Sequence, residues 1–143
     1  MELALAMTNF MEHLEVGRVG ELLAQKILKS KNFKILETNF RTTFGEIDII
    51  AKDPKKTLRF IEVKTLKMRA DSAKASSTEV GDITPENNLT RSKLFKLQKI
   101  CQFYANKYPD LVDENAGWQI DLIALEIDSR GELINSRFYE NIF

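Results

Sequence analysis

Cysteine is almost missing from this chain: Cys101 is the only one in 143 residues, which excludes an internal disulfide and a cysteine-based zinc site and fits a reducing compartment. Cys101 itself reads as a small apolar residue within a helix. An excess of one charge is missing too, since Lys plus Arg and Asp plus Glu each number 21. A net charge of zero names no partner, so any nucleic-acid surface must come from local segregation. No apolar run approaches the roughly 20 residues needed to span a bilayer, and no membrane partner is expected. The start, M-E-L-A-L-A-M-T-N-F, lacks the basic region of a signal peptide and soon meets Glu12, His13 and Glu15, so a cytoplasmic location is expected. His13 stands alone near the terminus, a poor basis for metal or acid–base chemistry.

What is present suits one domain over residues 1–143, with 43% hydrophobic residues to build a core. Charge is segregated along it. Lys52, Lys55, Lys56, Arg59, Lys64, Lys67, Arg69 and Lys74 crowd the middle, whereas Asp110, Asp113, Glu114, Asp121, Glu126 and Asp128 make the C-terminal part acidic. Spacings of three and four predict a helix over residues 14–30, with Gly17, Glu21, Ala24 and Leu28 in one stripe that Gly20 and Ile27 widen. Its small residues would let it lie close against a sheet. Glu21 on that face is either a site residue or an acid near the helix dipole's positive end.

Residues 33–40 read as a strand, with Phe33, Ile35 and Glu37 facing one way and Lys34, Leu36 and Thr38 the other. Residues 46–51 and 57–65 come next as a hairpin around D-P-K-K, where Pro54 sets a turn angle and cannot continue a ladder. Residues 66–89 show little periodicity and read as a long loop, either a lid or substrate-contacting segment or plain disorder. A helix is predicted over residues 90–108, with Leu94, Leu97, Cys101, Tyr104 and Tyr108 in a stripe and Lys93, Lys96, Lys99 and Lys107 largely outside it. Such a basic face is either a solvated surface or a nucleic-acid contact. Two strands around D-S-R-G complete the order αβββαββ, an α/β pattern.

The chemistry concentrates in G-E-I-D-I-I-A (residues 45–51) and R-F-I-E-V-K (residues 59–64). Side chains alternate along a strand, so Glu62 and Lys64 share one face while Ile61 and Val63 point the other way, toward a core. A hairpin would bring Asp48 near Glu62. Two carboxylates beside a lysine can hold Mg2+ and position a water for phosphodiester hydrolysis. The bland alternative is a surface Glu62–Lys64 pair with Asp48 marking a strand end; converging acids on an apolar hairpin favour the cation. Glu46 shares Asp48's face, as an outer partner or a solvent-exposed acid. Residues 119–124, Q-I-D-L-I-A, nearly repeat residues 46–51, but no wider repeat accompanies them and only Asp48 is followed by a short turn and E-V-K.

The succession G-R-V-G-E-L-L-A, E-T-N-F-R, G-E-I-D-I-I-A, F-I-E-V-K-T and a lysine-bearing helix, spanning residues 17–127, resembles the YraN-like family of predicted bacterial endonucleases. More distantly it is similar to archaeal Holliday-junction resolvases and the PD-(D/E)XK restriction-endonuclease-like superfamily. The resemblance implies an α/β restriction-endonuclease-like αβββαβ core, a central mixed sheet flanked by helices. It implies Asp48 and Glu62 as metal ligands, joined by the Val63 carbonyl, Lys64 as the catalytic lysine and Glu21 as the helix carboxylate of the site. The cofactor would be Mg2+, with Mn2+ as substitute, and the partner nucleic acid, expected to be DNA in branched or single-stranded form. Lys67, Arg69, Arg91, Lys93 and Lys96 would grip phosphates, making affinity fall with salt. Resolvase-like enzymes act as dimers, so a homodimer is also implied, although no interface is legible. Two departures are notable: a longer loop after E-V-K-T, and Leu66-Lys67 where an arginine is expected. Two other classes stay open, a nucleic-acid-binding module of the same fold that does not cut, and a protein-interaction subunit with a vestigial site.

Overall fold

The structure, a computed structural model, describes residues 1–68, Glu86 and residues 89–143. In order it contains α1 (Glu2–Ser30), β1 (Lys34–Thr42), β2 (Gly45–Lys52), β3 (Leu58–Lys67), α2 (Arg91–Lys107), β4 (Trp118–Ile127) and β5 (Leu133–Tyr139). The sheet order is β1-β2-β3-β4-β5. Only β3 and β4 run parallel; the other neighbours are antiparallel. A parallel step needs a crossover, and α2 lies in the connection that makes it.

Each face of the sheet carries its own core. On one, Ala24 and Leu28 of α1 pack with Ile49, Ala51, Ile61, Ile123 and Leu125. On the other, Leu97, Ile100, Cys101 and Tyr104 of α2 meet Ile47, Ile50, Leu58, Phe60 and Ile120. The expected mixed sheet flanked by helices is therefore present. Both faces of the β2–β3 hairpin are covered, since Phe60 and Leu58 on the face opposite Ile61 are as fully enclosed as Ile61. At roughly 1.5–3 kcal/mol for each large side chain removed from water, these two layers dominate the folding energy. Cys101 is buried in the second core, where burial pushes its thiol well above the usual range and keeps it protonated.

Three local expectations need correction. First, α1 begins at Glu2, because Glu, Leu, Ala and Met are strong helix formers and no proline or glycine interrupts residues 2–16. Its buried stripe is Gly20, Ala24 and Leu28, a spacing of four, and Gly17 is exposed with nothing near its missing Cβ. Second, a register shift between Ile35 and Glu37 breaks the alternation of β1. Glu37 accordingly accepts from Tyr104 Oη of α2 at 3.0 Å, instead of sharing the α1 face with Ile35. Third, residues 66 and 67 belong to β3, and Met68 N–H still donates to the Ile127 carbonyl at 2.8 Å. Most of the loop expected over residues 66–89, with Arg69, lies outside the described residues.

Gly20 sets how closely α1 approaches β3. A Cβ there would fall 1.8 Å from Thr65 Oγ1 and 2.8 Å from Thr65 Cβ, so helix and strand must separate to admit it. Gly20→Ala is expected to destabilise the protein by about 1–3 kcal/mol through overpacking, despite the roughly 1 kcal/mol of helix propensity that alanine adds. Urea unfolding of the variant checks this, and unchanged or increased stability would mean that the contact can relax.

The near-repeat hexamer in β4 has a structural role. Asp121, fully buried, accepts from Gln119 Nε2 at 2.9 Å and Asn141 N–H at 2.8 Å. Arg59 Nε lies 3.0 Å from its other oxygen without hydrogen-bond alignment. The same guanidinium pairs with Glu140 and lies 5.1 Å over the Phe33 ring. Arg59 is thus a buried tie between β3, β4 and the C-terminal segment, not part of an exposed basic surface. Asp121→Asn should lower the melting temperature and leave any metal-dependent cleavage intact; loss of cleavage in a folded variant would place Asp121 in the chemistry.

Candidate metal and phosphodiester site

The site forms where β2 and β3 part. Their pairing runs from Lys52 and Leu58 to Ile49 and Ile61; beyond that point a side chain takes over from the ladder. Val63 N–H donates to Asp48 Oδ2 at 2.8 Å. On the neighbouring β1, Asn39 adopts φ +54°, a left-handed conformation that asparagine tolerates better than most residues. Asn39 and Asp48 lie between the pairs Thr38–Ile49 and Phe40–Ile47. Ile47 and Ile49 pack into opposite cores, although residues two apart on a regular strand share a face.

This geometry brings together the acids singled out in the sequence. Asp48 is only 7% exposed. Burial, then Glu62, then more weakly Glu21 and Glu46 push its carboxyl up to about 8, with the Val63 N–H partly offsetting the rise. Glu21, on α1, is also raised, by burial first and then by Glu46 and Glu62, while Asn39 and Arg41 pull it down. Asp48 and Glu21 are therefore the two acids held back from ionising, with Glu62 beside them and the exposed Glu46 contributing from the rim. Lys64 Nζ lies 3.1 Å from Glu62 Oε1, and the two side chains are 27% and 16% exposed. They share a face as expected, the one on which Phe60 packs against α2.

A divalent cation fits this chemistry. Burial and mutual repulsion hold Asp48 away from the charge it would carry in water, and a hard cation reverses that balance. Among the described residues no three acid, histidine or cysteine side chains form a ready-made cage. The available set is two carboxylates and one main-chain carbonyl, since the N–H and C=O of a strand residue project to the same edge and Val63 turns that edge toward the fork. Few protein oxygens with the remaining positions left to water is the arrangement Mg2+ favours.

Lys67, Arg91, Lys93 and Lys96 are exposed, on the end of β3 and on α2. Glu46 forms an exposed ion pair with Arg41 at 3.2 Å, a turn-flanking acid on the rim. Sequence reasoning did not single out Asn39, which sits opposite Asp48 and acts on Glu21. The available signal was an asparagine inside an otherwise β-prone T-N-F stretch, a residue type that strands disfavour.

A mixed sheet between two helices, with acids and a lysine gathered at a fork between central strands, defines an α/β protein with a buried acidic site. The chain belongs to the family described as uncharacterised protein family UPF0102, whose model matches residues 20–125, a stretch that includes Glu21, Asp48, Glu62 and Lys64. It is 38% identical over 110 residues to a UPF0102 protein of Campylobacter fetus, covering 77% of this chain and 82% of that one. With a UPF0102 protein of Thermodesulfovibrio yellowstonii it shares 36% identity over 129 residues, 90% of this chain and all of the relative. A UPF0102 protein of Campylobacter jejuni is 39% identical over 112 residues, 78% of this chain and 84% of its own. No helix among the described residues is long and apolar enough to cross a membrane.

Proposed function

We propose that this protein is a Mg2+-dependent endonuclease that hydrolyses phosphodiester bonds in DNA. The observation that carries the reading is the Asp48 carboxylate, pinned at the strand fork by Val63 N–H beside the Glu62–Lys64 pair. The resemblance to the YraN-like endonucleases supports it through the same residues. Asp48, Glu62 and the Val63 carbonyl would hold Mg2+ or Mn2+, which supplies charge stabilisation to a phosphoryl group. Lys64, a compact cation on the acid face, orients the attacking water and offsets negative charge developing on the phosphate. Glu21 restrains Lys64 or a water at the rear of the fork. A module that binds without cutting would need only the exposed lysines of α2, and it leaves the buried Asp48 beside Glu62 at the fork with no purpose.

The experiment is incubation of wild type and Lys64→Ala with linear duplex, single-stranded and branched DNA, in Mg2+, Mn2+ or chelator. Cleavage by wild type alone, abolished by chelator, is the expected result. Binding with no metal-dependent cutting of any substrate would select the binding module instead.

A further inference from the structure

A groove of about 1020 Å3 runs between the β1–β2 turn and α2. The charged side chains in its lining are all cationic: Arg41, Lys96, Lys99 and Lys107. Phe44 and Phe103 also line it, although 82% and 53% exposed respectively. Scattered exposed apolar residues are ordinary; two rings in one groove walled by cations call for a ligand with both flat apolar faces and negative charge.

The turn that presents Phe44 is built, not loose. Phe44 N–H donates to Thr42 Oγ1 at 3.1 Å, and that hydroxyl donates to the Gly45 carbonyl at 3.0 Å. Gly45 has φ +144°, and a Cβ there would sit 3.0 Å from Ile100 Cδ1, so the turn rests directly on α2. Arg41, which borders the groove, pairs with Glu46 at 3.2 Å.

We infer that this groove binds an unpaired nucleic-acid strand, with bases stacked on Phe44 and Phe103 and phosphates on the surrounding lysines. Bases inside a duplex are already stacked and offer these rings nothing, whereas an unpaired strand supplies both faces and charge. A second protein chain would match the rings but would also have to be acidic opposite Lys96 and Lys99. Strand binding in the groove deepens the nuclease reading by naming the substrate form, and rests on that reading only for the cleavage step.

The test is fluorescence anisotropy with a labelled oligothymidylate and a duplex of equal length, in chelator so that nothing is cut. Phe44→Ala and Phe103→Ala should each weaken single-strand binding by about tenfold or more and leave duplex binding unchanged. Both side chains are exposed, and unaltered melting curves will show the variants folded. Lys99→Ala should lower the slope of log affinity against log salt by about 0.7, and Phe44→Trp should keep affinity while its fluorescence is quenched by the oligonucleotide. Equal affinity of wild type and both alanine variants for the single strand would overturn the inference. So would a wild-type dimer in sedimentation that Phe44→Ala dissolves and that binds no oligonucleotide. The two readings fail separately: metal-dependent cutting of single strands undiminished in Phe44→Ala removes the groove alone, and groove binding without cutting removes the nuclease alone.

Discussion

Lys64→Ala is expected to slow metal-dependent DNA cleavage by about 10²-fold or more while scarcely changing stability. The asymmetry comes from where the side chain sits. Lys64 is 27% exposed and pairs with Glu62 at 3.1 Å; a partly exposed pair of this kind contributes well under about 1 kcal/mol to folding. In the reaction the same ammonium meets charge that develops only in the transition state, so its loss falls on the rate. Lys64→Arg should restore little, because a wide planar fork does not replace a compact point charge at the same distance. Single-turnover cleavage and thermal melting of the three proteins measure both sides. A variant that melts well below wild type and cuts at the wild-type rate would reverse the assignment and make Lys64 a structural residue.

Asp48→Asn is expected to abolish cleavage and, in chelator, to make the protein more stable than wild type at alkaline pH. The carboxyl is raised from 3.8 to about 8 by burial first and Glu62 second, so the fold prefers the neutral acid. A group raised in the folded state contributes stability that is complete below its unfolded value and is lost as pH climbs through the folded one. Wild type without metal should therefore lose stability steadily from about pH 4 to about pH 8, by several kcal/mol as an upper bound. Asparagine cannot ionise, and that part of the pH dependence should vanish with it. Mg2+ should oppose the loss in wild type, since the ion binds the ionised carboxylates and stabilises the folded state by mass action. Melting temperatures across this pH range, with and without Mg2+, read out both effects; identical pH profiles for wild type and variant would mean that Asp48 ionises freely.

Much of the architecture was legible because its signals are local. The α2 stripe of Leu97, Cys101 and Tyr104, the alternation of β3 and the D-P-K-K turn each reflect a period or a backbone constraint that a short window contains. Asp48, Glu62 and Lys64 were legible for the same reason, since one hairpin joins them. The rest depended on neighbours distant in sequence. That both faces of the hairpin are covered results from α1 and α2 packing on opposite sides, which a strand alone cannot announce. Arg59 counted as one more basic residue until Asp121 and Glu140 enclosed it. The left-handed Asn39 opposite Asp48 and the register shift after Ile35 interrupt the regular alternation of β1, and neither has a periodicity to read. The groove joins a turn to a helix some 50 residues onward, so its rings and lysines meet only in the folded chain.

The central claim is that the acids at the fork hold a divalent cation, and the most direct measurement is Mn2+ binding tracked by electron paramagnetic resonance. Wild type is predicted to take up Mn2+ at a single site from which Mg2+ displaces it, with affinity rising as pH increases toward 8, while Asp48→Asn leaves the ion free in solution. Equal uptake by the two proteins, or none by wild type, would contradict it.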